Sequence, residues 1–159
     1  MTTEETGQHT RDADTGPSLN PQVIGQAENA LRALLERSLV GTGLAYRHWI
    51  ALSIAVGNEV ALDQDELVGR IAGVLKVDDT AAREAVADLR ARKLAETVPG
   101  DGSRVQPTDA GRELHREVRM AIAEIVTRLF RDITADDLET AGRVLMLITA
   151  RADAELAGS

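Results

Sequence analysis

The chain has 159 residues with 18 Lys and Arg against 26 Asp and Glu, a formal charge of −8. It holds no cysteine and only three scattered histidines, His9, His48 and His115, which excludes a disulfide scaffold, a thiol nucleophile, a cysteine redox switch and a recognisable zinc-ligand cluster. A hydrophobic share of 43% suits one globular domain with a real core, and no apolar run approaches the roughly 18–20 residues that span a bilayer.

Residues 1–19 are rich in Thr, Glu, Asp and Gly, carry a net charge of −3 and offer little to bury, which predicts a disordered N-terminal tail. That stretch lacks the basic and apolar pattern of a secretory leader, so a cytoplasmic protein with no membrane partner is expected. Order is expected from Asn20-Pro21, a strong cap followed by a residue suited to the first helical turn. Val23, Ala27, Ala30, Leu31, Leu34, Leu35 and Leu39 then recur at helical spacing. Gly41 to Gly43 closes this helix. A second, apolar on nearly every side, is predicted over Tyr46–Val56, stopping at Gly57-Asn58.

Asp63 with Glu66 three residues later has the pattern of a capping box and opens a short helix carrying Leu67, Ile71, Val74 and Leu75. A polar turn at Asp78 to Thr80 starts another, with Ala82, Ala85, Val86 and Leu89 on one face. Two short helices across a tight polar turn outline a helix-turn-helix. The period then changes. Leu94 to Val98 is strand-like, Pro99 to Ser103 is dense in turn residues, and Arg104 to Gln106 is expected to return as the second strand of a hairpin. Thr108 caps a long helix through Leu114, Val118, Ile122, Ile125, Leu129 and Phe130. Thr134, with Asp136 and Asp137 in the first turn, starts a last one bearing Leu138, Ala141, Val144, Leu145, Leu147 and Ile148.

The fold class expected is mainly α with a small β-hairpin wing. A winged helix-turn-helix lobe at about 46–106 is joined to long helices at about 21–40 and 108–157, all within a single domain at 20–157. The flanking helices carry more Leu, Ile and Val than one small lobe covers, so they wrap the lobe or, as favoured here, pack against a second copy as dimerisation helices.

With this element order, Val77 to Leu114 resembles the MarR family of transcriptional regulators. The recognition helix closes on Leu89, Arg92, Lys93 and Leu94, a wing follows, and Thr108 and Gly111 lead into the long helix. Lys93 stands where the family has glycine, and Gln106-Pro107 stands where it has a hydrophobic residue before the threonine. The resemblance implies a homodimeric, ligand-responsive regulator, most simply a repressor, on a palindromic double-stranded DNA site with half-sites about 10 bp apart. It also implies a crevice between the dimer helices and the winged lobe, for small aromatic or anionic ligands.

Residues 80–112 sum to +1, while residues 63–79 and 113–159 sum to −3 each. Ordinary surface charge accounts for this as readily as a phosphate-facing surface does. On the recognition helix, Thr80, Arg83, Glu84 and Ala87 are expected to point outward. Arg83 is suited to fork onto guanine, and Thr80 to touch a phosphate or a thymine methyl; Arg83 and Glu84 in surface ion pairs is the plainer alternative. Arg90, one turn beyond Ala87, is better placed for phosphate. Ser103 and Arg104 are expected at the wing, where a cation reaches the minor groove or the backbone.

Tyr46, Arg47, His48 and Trp49 are the ligand candidates, because the resemblance places this segment beside the crevice. Trp49 as ordinary core and His48 as a hydrogen-bonded core or surface residue is the competing account. His115, between Glu113 and Arg116, reads as part of a solvated helix face. No phosphate loop, nucleophile elbow or paired carboxylates are present, so neither catalysis nor a cofactor is expected. A second functional class stays open, an acidic dimeric interaction module of the same fold that has lost DNA binding.

Overall fold

The structure, a computed structural model, describes residues 18–158. The predicted tail therefore lies outside the described residues except for Ser18 and Leu19, which are exposed and in no regular element. Six helices and three short strands follow: α1 (Pro21–Leu39), α2 (Tyr46–Val56), β1 (Leu62–Asp63), α3 (Gln64–Leu75), α4 (Asp79–Ala91), β2 (Ala95–Val98), β3 (Asp101–Pro107), α5 (Asp109–Leu129) and α6 (Ala135–Ala157). The chain is mainly α with a small antiparallel wing, as expected.

Local chemistry sets the boundaries. Asn20 accepts the Val23 amide at 3.0 Å with Pro21 in the first turn, Asp63 accepts the Asp65 amide at 2.9 Å, and Thr108 and Thr134 accept the amides of Gly111 and Asp137. Each side chain satisfies an amide that the helix leaves without a partner. Glu66 does not close a capping box; its carboxylate takes Arg70 one turn on, at 2.5 Å.

The wing differs from the expected hairpin in two respects. β3 begins at Asp101, so the reversal is confined to Pro99-Gly100, with Gly100 at φ +82 supplying the left-handed step. Gly102 and Ser103 are thereby released into the strand. There is also a third strand. β1 pairs with β3 through Leu62 opposite Val105 and Asp63 opposite Arg104, giving the sheet order β1-β3-β2. Two residues ahead of a helix carry too little alternation to read as a strand; only the pairing with β3 makes them one.

Lys93 ends the α4 segment in the left-handed region at φ 60. That conformation explains why glycine suits the position in the family the chain resembles, and Lys93 adopts it at a steric cost.

The core sits inside the lobe. Leu52, Leu67, Val68, Ile71, Leu89 and Val105 are its largest fully buried side chains. Ala51, Ala82 and Ala85 let the helices α2, α3 and α4 approach closely around them. The lobe joins α5 through Gly111, where a Cβ would lie 2.1 Å from the Leu94 carbonyl oxygen, so only glycine fits. Thr108 completes the joint by donating its hydroxyl to the Lys93 carbonyl at 2.7 Å and its amide to the Leu94 carbonyl at 3.1 Å.

Candidate nucleic-acid interface and crevice

α4 is capped by Asp78, which accepts the Ala81 amide at 2.8 Å. Ala82, Ala85, Val86 and Leu89 face the core, which leaves Thr80, Arg83, Glu84, Ala87 and Arg90 exposed along the opposite side. The amphipathic period thus fixes which α4 side chains face outward. Arg83 does not stand free. Its Nη1 donates to Asp65 Oδ1 in the first turn of α3 at 2.9 Å, an exposed pair that solvent weakens. Arg90 lies with Lys93, Thr97 and Thr108 around a shallow depression where α4 meets the wing.

On the wing, Ser103 is exposed and donates both its hydroxyl, at 2.6 Å, and its amide, at 3.2 Å, to Asp101 Oδ1. Those bonds, with Arg104 nearby, hold the Asp101 carboxyl below the usual carboxylate range. Arg104 is half-buried and donates to the Ala61 carbonyl, so it braces the wing against the start of β1. A tether of this kind is invisible in sequence because Ala61 lies 43 positions away.

A second feature lies between α1, α2 and α5. It is an apolar cavity of about 660 Å³ walled by Leu34, Leu35, Trp49, Ile122 and Val126, with Ser53, His115 and Arg119 among its polar lining residues. Trp49 and His115 stack at its wall, ring centroids 4.9 Å apart and 17° from parallel. Burial, and then the charge of Arg119, hold the His115 imidazole below its ordinary pKa. The Ser53 hydroxyl oxygen is buried and makes no hydrogen bond among the described residues.

The four ligand candidates on α2 separate. Trp49 lines this cavity. Tyr46 lines a different groove between α1 and α6, beneath the Arg32 guanidinium at 5.4 Å. Arg47 and His48 both turn to Asp88 on α4, at 3.4 and 2.9 Å. His48 is 3% exposed and hydrogen-bonded at both ring nitrogens.

His115 corrects the sequence reading outright. It is 8% exposed rather than on a solvated face. The signal was present: His115 stands three residues before Val118 and seven before Ile122, inside the apolar stripe of α5, and its charged neighbours obscured that register. Arg119 and Ser53 were missed because only the helix packing brings them to the same cavity.

Among the described residues no group of His, Asp and Glu is placed to hold a metal ion, and no helix is long and apolar enough to cross a membrane.

No family model matches the chain, and no curated protein matches it in sequence. Solved structures do. A MarR-family transcriptional regulator from Rhodococcus sp. RHA1 is 20% identical, with 80% of this chain and 91% of that one covered at a TM-score of 0.67. CouR from Rhodococcus jostii RHA1, bound to p-coumaroyl-CoA, is 18% identical over 80% and 88% of the two chains, TM-score 0.67. PcaV from Streptomyces coelicolor, in complex with its natural ligand, is 22% identical over 86% and 99%, TM-score 0.65. The fold is the winged helix fold of MarR-family regulators.

Proposed function

We propose that this chain is a sequence-specific DNA-binding transcriptional regulator of MarR type that acts in the cytoplasm as a homodimer on a palindromic site, most simply as a repressor. The observation that carries the reading is α4. Its apolar face is seated in the lobe, and Thr80, Arg83, Glu84, Ala87 and Arg90 form its outer face, with the wing beside it. That is the arrangement a recognition helix needs to lie in a major groove.

The dimer is supported by α6. It is 23 residues long, buries none of them within this chain, and leaves Leu138, Val144, Leu145, Leu147 and Ile148 exposed. A second copy offers the same apolar surface in a self-complementary arrangement. The crevice beside Trp49 and His115 supports a small effector, aromatic or anionic. Its binding would change DNA affinity only if it favours one spacing of the two recognition helices over another.

Fluorescence anisotropy tests the reading, with DNA from upstream of the coding sequence and a scrambled duplex at two salt concentrations. Tight binding that falls with salt and prefers the upstream DNA is expected. Arg83→Ala is expected to relax base preference at a cost of about 1–3 kcal/mol. Arg104→Ala is expected to weaken all sequences alike, through loss of the brace to Ala61.

A second reading, an acidic dimeric interaction module, is favoured by one specific observation. Two of the three candidate DNA cations, Arg83 and Arg104, are engaged within the chain, in a molecule of net charge −8. Absence of DNA binding even at low salt selects it.

A further inference from the structure

The first turn of α2 carries two adjacent buried side chains that engage different helices. His48 accepts the Ala45 amide at Nδ1, 3.1 Å, which leaves the ring proton on Nε2; that N–H donates to Asp88 Oδ2 on α4 at 2.9 Å. Trp49, one residue on, stacks on His115 of α5 in the crevice wall. Neighbouring residues project about 100° apart around a helix. One turn of backbone therefore holds the outward-reading helix on one side and forms the crevice wall on the other. Arg47 adds a longer contact to the same carboxylate oxygen, 3.4 Å.

We propose that the His48–Asp88 hydrogen bond is the positioning link through which the crevice wall and α4 move together. The link rests on the reading of α4 as the DNA-reading helix. Anything that enters between α2 and α5 acts on Trp49. A shift of Trp49 carries His48, because both lie in the same hydrogen-bonded turn. His48 has no slack: one ring nitrogen is committed to the cap of α2 and the other to α4. Asp88 follows directly after Ala87 on the exposed face of α4, so the displacement arrives where α4 meets its target.

Charge alone makes the opposite prediction. Asp88 is an anion on a helix that faces phosphates, and its removal by itself strengthens DNA binding. If Asp88 positions α4, its removal weakens binding. The signs differ, so one substitution separates the two accounts.

The first measurement needs no DNA. Trp49 is the single tryptophan, so emission and acrylamide quenching of the full chain report the crevice wall directly. Asp88→Ala is expected to red-shift the emission and at least double the quenching constant. Asp88→Asn, which keeps an oxygen to accept from His48, is expected to match the wild type. If Asp88→Ala does not fold, Asp88→Ser carries the same expectation. Trp49 emission unchanged on loss of the carboxylate overturns the link.

The second measurement uses a duplex selected by the wild-type chain from a random pool. Asp88→Ala is expected to bind it more than tenfold more weakly with an unchanged salt slope, and Asp88→Asn at least as tightly as the wild type. Equal or tighter binding by Asp88→Ala overturns the proposal. A wild-type chain that selects no duplex sinks the DNA reading, while the Trp49 measurement still decides whether α4 and the crevice wall are joined.

Discussion

The winged lobe and the α6 arm are built from similar apolar residues and reach opposite environments. On α4, Ala82, Ala85, Val86 and Leu89 are at most 3% exposed, whereas on α6 Leu138, Leu145 and Ile148 are 36–41% exposed. Both sets recur at helical spacing, so both helices present a stripe. The lobe meets its stripe with α2, α3 and the wing, and forms a core inside one chain. The arm meets its stripe with little of the same chain. Apolar periodicity therefore specifies that a face will be covered without specifying by what. The lobe carries its own stability, and the arm needs a second surface to carry any.

The largest expected effect comes from attacking the arm. Leu145→Asp with Ile148→Asp places two charges in the proposed dimer face. Each replaces apolar burial of about 1.5–3 kcal/mol with a group that resists desolvation. Light scattering coupled to size exclusion is expected to show the mass halved. Trp49 emission is expected to stay native, because the lobe does not depend on α6. A variant that keeps the dimer mass breaks the comparison at its root.

Next comes the joint between the two regions. Gly111→Ala sets a methyl group against the Leu94 carbonyl. Backbone on both sides must move, which puts the cost near 3 kcal/mol, the upper end for overpacking. For a chain of this size that lowers the melting temperature by about 6–12 °C. Circular dichroism is expected to show the loss in the lobe and α5 together, since Thr108 and Gly111 hold both.

Much of this was legible in the sequence, and the parts that were not share a cause. Caps at Asn20, Asp63, Thr108 and Thr134 act over three residues or fewer, and so do the periods that seat α4. Such features are written in adjacent letters. β1, the tether of Arg104 to Ala61 and the approach of Arg83 to Asp65 join residues far apart in the chain, and nothing local announces them. The separation of Tyr46, Arg47, His48 and Trp49 teaches the same lesson at closer range. Four consecutive helical residues project about 100° apart, so a run in sequence is spread over several faces of its helix. His115 is the one miss with a local signal, because its place in the α5 stripe was available from spacing alone.

A smaller effect probes the seam by pH. The His115 imidazole is held below its ordinary pKa by burial, and then by Arg119. The unfolded chain therefore takes up this proton first as pH falls. Stability from this group is complete above the unfolded value near 6.5 and declines as pH drops below it toward the depressed folded value. His115→Phe keeps a ring against Trp49 and removes the titration. Denaturant melts between pH 7 and 5 are expected to show a shallower pH dependence in the variant. Asp88, Asp101 and Glu113 do not confuse the result. Hydrogen bonds from His48, Ser103 and Arg116 respectively lower their pKa values, so what they contribute is lost only at more acid pH.

The smallest effect on stability has the most to say about the comparison. Lys76 Nζ donates to Asp153 Oδ1 at 2.6 Å, an ion pair that ties α6 to the end of α3. Both side chains are about half exposed, and exposed pairs contribute about 0–1 kcal/mol. Asp153→Ala is thus expected to leave the melting temperature within about 3 °C of the wild type. Lys76 itself is held at φ 54, in the left-handed region, at the C-cap of α3, so its side chain leaves the lobe at a fixed point. If the arm lacks a core of its own in the single chain, this pair matters to its orientation before dimerisation far more than to global stability. Hydrogen exchange separates the two. Faster exchange of α6 amides when Asp153→Ala is added to the Leu145→Asp, Ile148→Asp monomer, with α3 and α4 unchanged, is the expected pattern. Equal acceleration in α3 and α4 would mean that arm and lobe form one cooperative unit, and that the contrast between them is a matter of exposure alone.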